Sequence, residues 1–537
     1  FTLTTFTASG CAKPEQKLSM ASSVANTNDK AAGSVAKNNN KASPHRSYVM
    51  AESESPASME QTPARSAKRR AKSPAMPLTV ANSNTENFKD YGTNPMVDVS
   101  EDHLSTFAVD VDTASYAIAR RKIMDGLTPP ASSVRVEEFV NYFKYDYAGP
   151  TGDAPFAVHM DMAPSPFTKG RQILRVGVQA KKLSLQERKK ANLVFLVDVS
   201  GSMGSADKLG LAKRAMRILV DNLQDGDTVS LVTYAGNTRV VLEPTGMEHK
   251  AQIVSALEDL NSGGSTAMSS GMDLAYELAV KSLRPDSLSR VIVLSDGDAN
   301  VGNTDHKRIL KTIAGKVKEG VTMSTIGFGM GNYQDERMEQ LANKGNGNYY
   351  YIDSLSQASR VFQEQLGGTL EVVAKDVKIQ VDFDEDAVSS YRLIGYENRD
   401  VADRDFRNDN VDAGEIGAGH SVTALYEVEL SKKGAVPVTV RLRAKKPRGS
   451  KAVETSFAFD RAKAYASFDG APSDFRFATA VMASAELLRK SEHAGNWRFD
   501  KLLAIARGAS KKHSAERSEF IGLMEKAAKT FREEQDS

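Results

Sequence analysis

Leu193 to Gly204 reads LVFLVDVSGSMG, and this stretch decides the fold. Leu193, Val194, Phe195, Leu196 and Val197 form an apolar, partly β-branched run, the pattern of a strand buried on both faces. The run stops at Asp198-Val199-Ser200-Gly201-Ser202, where alternate residues carry oxygen and a glycine lets the chain turn. Asp198, Ser200 and Ser202 therefore converge just past a strand's carboxyl end, where open α/β sheets bind ligands. One carboxylate and two hydroxyls, with coordination positions left to water or a partner, suit a hard dication such as Mg²⁺.

Two more stretches extend the pattern. Arg290 to Asn300, RVIVLSDGDAN, is a second buried strand ending in Ser295-Asp296-Gly297, and Gly263-Gly264-Ser265-Thr266 is a glycine loop ending in a hydroxyl. The D-x-S-x-S, the loop threonine and the strand-end Asp-Gly, in that order, resemble the metal-ion-dependent adhesion site of von Willebrand factor A domains. The resemblance implies that Asp198, Ser200, Ser202, Thr266 and Asp296 ligate a metal, directly or through water, with Ser295 and Asp298 as lesser candidates. The cofactor expected is a divalent cation, Mg²⁺ first, with Mn²⁺ and Ca²⁺ as alternatives.

Around this core, strands and helices alternate from about 190 to 368, the grammar of a doubly wound, mostly parallel α/β sheet. After the metal loop, Leu209, Ala212, Met216, Leu219, Val220 and Leu223 make one apolar helix face. Residues 369–465 change grammar: alternating segments without long helices predict a β-sandwich. So few strands would leave open edges, and the hairpin Phe156–Met162 with Gln172–Gln179, within 151–189, is expected to join it. The α/β domain is then an insertion into the sandwich. Residues 466–537 are helical, with Phe477, Val481, Ala485 and Leu488 as one core stripe. Residues 94–150 read as an amino-terminal helical module, in which Asp110 and Asp112 are a helix cap and a surface acid rather than a metal pair. Phe107–Arg121, Val134–Tyr147 and Tyr391–Arg399 (YRLIGYENR) resemble YfbK-type bacterial von Willebrand A proteins, so the resemblance spans Asn94 to the end.

Composition narrows the function. The formal net charge is +2 over 537 residues, which argues against a whole-chain nucleic-acid binder. No glycine phosphate loop or zinc spacing supports a nucleotide or nucleic-acid role, and no later run approaches the ~18 apolar residues of a membrane span. The sole cysteine, Cys11, follows FTLTTFTASG. Residues 1–11 look like the end of a secretory signal, and Ala-Ser-Gly-Cys resembles a bacterial lipobox, which implies an acylated Cys11. A cysteine-free remainder fits export, and Ala12 rather than aspartate points to the outer membrane. Residues 12–93, rich in Ala, Ser, Asn, Lys and Pro, read as a flexible tether with a basic cluster at Ala64–Lys72.

Three functions are weighed. The first is a non-enzymatic adhesion protein of the bacterial envelope, whose metal takes an Asp or Glu carboxylate from a protein partner. The second is an assembly hub in which the metal site is filled intramolecularly, by an acid such as Glu385 or Asp386. The third is a hydrolase using Ser202, but glycine is missing two residues before it. Ser205-Ala206-Asp207-Lys208 matches S-x-x-K only by its length, and His249 and His306 are not aimed by a strand end.

Overall fold

The computed structural model describes residues 86–536 apart from 184–186, 266–267, 286, 298–302, 366–369, 432–435, 448 and 511–513. A six-stranded sheet runs in the order Tyr349–Ile352, Val321–Phe328, Ser287–Ser295, Lys190–Asp198, Thr228–Tyr234, Arg239–Gly246. All neighbours are parallel except the last pair, an antiparallel edge. The strand Lys190–Asp198 lies inside this sheet, and Leu193 to Val197 are wholly buried. Phe195 and Val197 face one apolar layer with Leu211, Met216 and Leu219 of the helix Leu209–Asp221. Val194 and Leu196 face the other, with Met272 and Tyr276 of the helix Met268–Lys281. Helices on both faces explain the continuous apolar strands.

The β-rich remainder is a two-sheet sandwich. One sheet is ordered Val97–Asp98, Val388–Ile394, Ser421–Leu430, Gln172–Ala180, Phe156–Pro164. The hairpin thus extends this sheet, with Val422 opposite Val178, and the α/β domain is inserted between Ala180 and Val372. The other sheet contains Gly414–Gly417, Val372–Phe383, Val438–Lys445 and Ala452–Phe459, with Leu104–Ala108 pairing on Val372–Phe383. Val176, Val178 and Tyr426 from the first sheet pack on Ile379, Val381 and Val440 from the second.

The amino-terminal helices are not a separate module. Helix Val136–Tyr142 and the carboxyl-terminal helices Ser473–Leu488 and Ala515–Asp536 share one core, in which Phe143 meets Phe477 and Phe520 edge-on at 5.1 and 5.4 Å. This layer covers the outer face of the first sheet through Ile173, Ile394 and Leu425. The Phe477, Val481, Ala485, Leu488 stripe is fully buried there. Arg392 on the sheet ties the layers, reaching Glu427 and Glu486 at 3.1 Å each.

Ordered chain also begins before Asn94. The Asn87 N–H donates to the Tyr333 carbonyl at 3.0 Å, Phe88 packs beside Tyr333 and Met338, and Lys122 Nζ holds Glu86 at 2.6 Å. Residues 86–93, read above as tether, are therefore a strap along the α/β domain. Asp110 and Asp112 are corrected too: they are not surface acids but buried, and Arg399 binds both, at 2.9 and 3.1 Å. Their cation comes from far along the chain, so local spacing did not reveal it.

Candidate metal centre

At the carboxyl end of Lys190–Asp198, the Asp198 carboxylate is completely buried. Its Oδ1 accepts the Ser200 backbone N–H at 2.9 Å, which bends the chain back over the strand end, and its Oδ2 accepts the Ser295 hydroxyl at 3.0 Å. Ser200 Oγ and Ser202 Oγ lie 3.0 Å apart on the same loop. The glycine loop closes against them, with Gly263 N–H on the Val199 carbonyl at 2.7 Å and Gly201 N–H on the Gly264 carbonyl at 3.1 Å. Gly264 has φ +89°, and a Cβ there would sit 3.0 Å from Gly236 N, so only glycine lets these loops approach. Asp296, equally buried, follows the neighbouring strand. Asp198, Ser200, Ser202, Ser295 and Asp296 are thus brought together, while Thr266, Asp298 and Cys11 lie outside the described residues.

One further residue occupies the site. Lys208 Nζ is 2.9 Å from Asp296 Oδ2 and 3.0 Å from Asn332 Oδ1. Its stem lies across Gly329, where a Cβ would come within 2.3 Å of Lys208 Cε. Sequence reading noticed Lys208 only as the end of an S-x-x-K match. Its place ten residues after Asp198, in the loop that carries the serines, was the available signal. The flanking loops are held by the amino-terminal segments, through Arg121 with Asp207 at 2.6 Å and the Gly331 N–H on Glu86 at 3.0 Å. The acids considered as internal occupants are elsewhere: the Asp386 N–H is tied to Asp384 Oδ1 in a sandwich turn.

Of the two buried carboxylates, Asp296 takes the Lys208 ammonium, while Asp198 is held by Ser200 and Ser295. Burial, followed by the repulsion of Asp296, pushes the Asp198 carboxyl up to about 6, against the hydrogen bonds from Ser200 and Ser295 that favour its ionised form. No three His, Cys, Asp or Glu side chains among the described residues form a metal-holding group. The donors here are instead mostly hydroxyls around one or two carboxylates, hard oxygens that fit Mg²⁺ or Mn²⁺ and would not suit a soft metal. Ser202 Oγ is adjacent to a second hydroxyl rather than to a base.

Strand order, buried metal loop and converging oxygens define a von Willebrand A-type domain. The model for the von Willebrand factor type A domain matches residues 192–365, a further model described as von Willebrand factor matches 82–175, and one described as "Uncharacterized protein YfbK, C-terminal" matches 368–438 and 429–530. YfbK of Escherichia coli (strain K12) is 37% identical over 476 residues, covering 83% of this chain and 82% of the relative; the chain belongs to the YfbK family. Inter-alpha-trypsin inhibitor heavy chain H2 of Mus musculus is 27% identical over 29% of this chain and 17% of its own length. Among solved structures, a von Willebrand factor type A protein from Catenulispora acidiphila covers 69% of this chain and 89% of its own at 18% identity and TM-score 0.41. Proximal thread matrix protein 1 from the mussel byssus, with a zinc-occupied MIDAS motif, covers 36% of this chain and 47% of its own at 23% identity and TM-score 0.29.

Proposed function

We propose that this protein is a divalent-cation-dependent adhesion protein of the bacterial envelope, tethered by lipid at Cys11. The observation that carries the reading is the convergence of hard oxygens at the strand end: the buried Asp198 carboxylate, the Ser200 and Ser202 hydroxyls 3.0 Å apart on the same loop, and the buried Asp296 at the end of the neighbouring strand. Asp198 supplies the negative charge for the metal, Ser200 and Ser202 supply neutral oxygens, and Thr266 is assigned to the same set by its place in the motif. Asp296, already held by Lys208, acts from further out. A bound Mg²⁺ with few anionic ligands is electrophilic enough to take a carboxylate from a partner's Asp or Glu. Gly201 is exposed and Ser202 half-buried, which leaves an approach for that group.

The test is affinity capture from envelope extract with the full chain in Mg²⁺, in EDTA, and in Mg²⁺ with Asp198→Ala. A partner retained only by the wild type with metal supports the reading. Capture indifferent to both changes overturns it. Cys11→Ser should release the protein from the membrane fraction; unchanged partitioning would remove the lipid anchor.

A further inference from the structure

The parallel strand Ser287–Ser295 has the metal site at one end and a second concavity at the other. A cleft of about 530 Å³ opens where the α/β domain joins the sandwich, lined by Leu283, Leu288, Val317, Leu370 and Val372 together with Arg290. From Arg290 to Asp296 the chain advances ~20 Å at ~3.3 Å per residue, so this cleft is separate from the metal centre.

Arg290 is the anomaly. Among the buried arginines, Arg120, Arg135, Arg175, Arg188, Arg360 and Arg392 each hold a carboxylate within ion-pair distance. Arg290, 2% exposed, has no such partner among the described residues. Its Nε donates to Thr322 Oγ1 at 3.0 Å and its Nη1 to Ser324 Oγ at 3.4 Å. Neutral hydroxyls satisfy two of the five N–H groups, and Tyr350 and Glu415 act on the charge only through space, without ion-pair contact, a costly state for a desolvated guanidinium. Burial lowers the Arg290 pKa against the pull of Tyr350 and Glu415, whereas at Arg120, Arg135 and Arg175 the neighbouring tyrosines and carboxylates outweigh burial and raise it.

Among the described residues of the lining, no carboxylate lies within ion-pair distance of Arg290. Glu371 is engaged by Lys189 at 2.6 Å and Glu319 by Lys316 at 3.0 Å. Glu415 accepts from Asn346 Nδ2 and feels Arg290 and Lys375 through space without ion-pair contact; burial, Asp412 and Asp376 outweigh them and push its carboxyl up to about 8. Arg284 and Lys375 line the same cleft, Lys375 acting on Glu415 through space rather than by ion-pair contact. The cleft is therefore apolar in its walls, cationic in its free charge, and within the volume range of small-molecule sites.

We propose that this cleft binds the carboxylate of an apolar ligand, the Arg290 guanidinium holding the carboxylate while Leu283, Leu288, Val317 and Leu370 enclose the body. A planar fork with three unused N–H groups matches a carboxylate in two-point contact. The bridged residues belong to both the α/β domain and the strand Val372–Phe383, so an occupant touches the joint between them.

The test is calorimetric titration of the full chain with octanoate, 1-octanol and acetate. Octanoate should bind at least tenfold more tightly than either of the others. Arg290→Gln should lower octanoate affinity at least tenfold. Arg284→Glu with Lys375→Glu, in protein shown by circular dichroism to be folded, should do the same. Equal binding of octanol or of acetate overturns the proposal, as does octanoate affinity indifferent to the rim reversal in a folded variant. Acetyl-leucyl-leucine and its amide form a further arm. Tighter binding of the free acid than of octanoate identifies a chain terminus as the source of the carboxylate; the reverse order identifies an acyl chain.

Discussion

The metal loop and a second joint, where Arg135 and Asp110 of the amino-terminal segment meet Asp335 and Glu339 of the α/β domain, both hold buried carboxylates and resolve the difficulty differently. At the joint, Arg135 takes Asp335 at 2.6 Å and also Glu138, and Arg399 takes Asp110, Asp112 and Glu339. Acids outnumber arginines, and protons make up the difference: burial pushes the Glu137 carboxyl up to about 8 and Glu138 up to about 7. Backbone amides of Tyr396, Ser115 and Tyr349 then point at Glu137, Glu138 and Asp112. At the metal loop the acids are fewer, but two hydroxyls stand beside them and the loop reaches solvent at Gly201. An acidic cluster closed by arginines and amides is structure. The other, beside two serine hydroxyls on a loop that reaches solvent, is where the proposed cation would bind.

Breaking the closed cluster should have the largest effect. Arg135→Ala strands Asp335 and Glu138 in the interior and should cost ~3–5 kcal/mol, read as a lowered urea midpoint. A loss under ~1 kcal/mol would mean that the joint is less closed than its distances imply.

Asp198→Asn should act in the opposite direction on stability. The folded-state pKa of Asp198 is raised from 3.8 to about 6, so metal-free protein has its full stability below the unfolded value and loses it as pH rises through about 6. Removing that charge should stabilise the EDTA-treated protein at pH 7.5 by up to ~3 kcal/mol, with the gap closing at pH 4. Added Mg²⁺ should then no longer raise its melting temperature. A variant less stable than wild type in EDTA at pH 7.5 contradicts a destabilising burial of the ionised Asp198.

Lys208→Met sharpens the contrast further, because it removes a cation that competes for Asp296. Mg²⁺ affinity by calorimetry should rise about tenfold, ~1.4 kcal/mol; a fall would assign Lys208 a supporting role instead. The smallest effect belongs to Arg217→Ala, whose exposed pair with Asp221 at 3.2 Å should matter by under ~0.5 kcal/mol.

How far the sequence foretold this arrangement follows the range of each interaction. The strand Lys190–Asp198 and the carboxyl-side serines were legible because burial and turning are written in consecutive residues. Asp296 and the glycine loop were legible through their own strand-end and glycine patterns. Lys208 was visible but ambiguous, since a lysine three residues after a serine occurs by chance. The joint was not legible at all: Arg135 meets Asp335 across 200 positions and Arg399 meets Asp110 across 289. Asp110 and Asp112 consequently read as surface acids. The strand Ala452–Phe459 was missed because its exposed face leaves only a weak alternation, with Phe459 alone fully buried.

The insertion of the α/β domain has a mechanical consequence. Its ascending and descending connections emerge side by side, and Lys189 clasps Glu371 across them, through its ammonium at 2.6 Å and its backbone N–H at 3.0 Å. A pull exerted on the metal loop is therefore shared by two covalent backbones running into two different sheets of the sandwich. The domain cannot be unravelled from a free end, because neither of its ends is free. Tension must shear strands that are paired along much of their length, Gln172–Ala180 with Ser421–Leu430 and Val372–Phe383 with Val438–Lys445, rather than peel them one bond at a time.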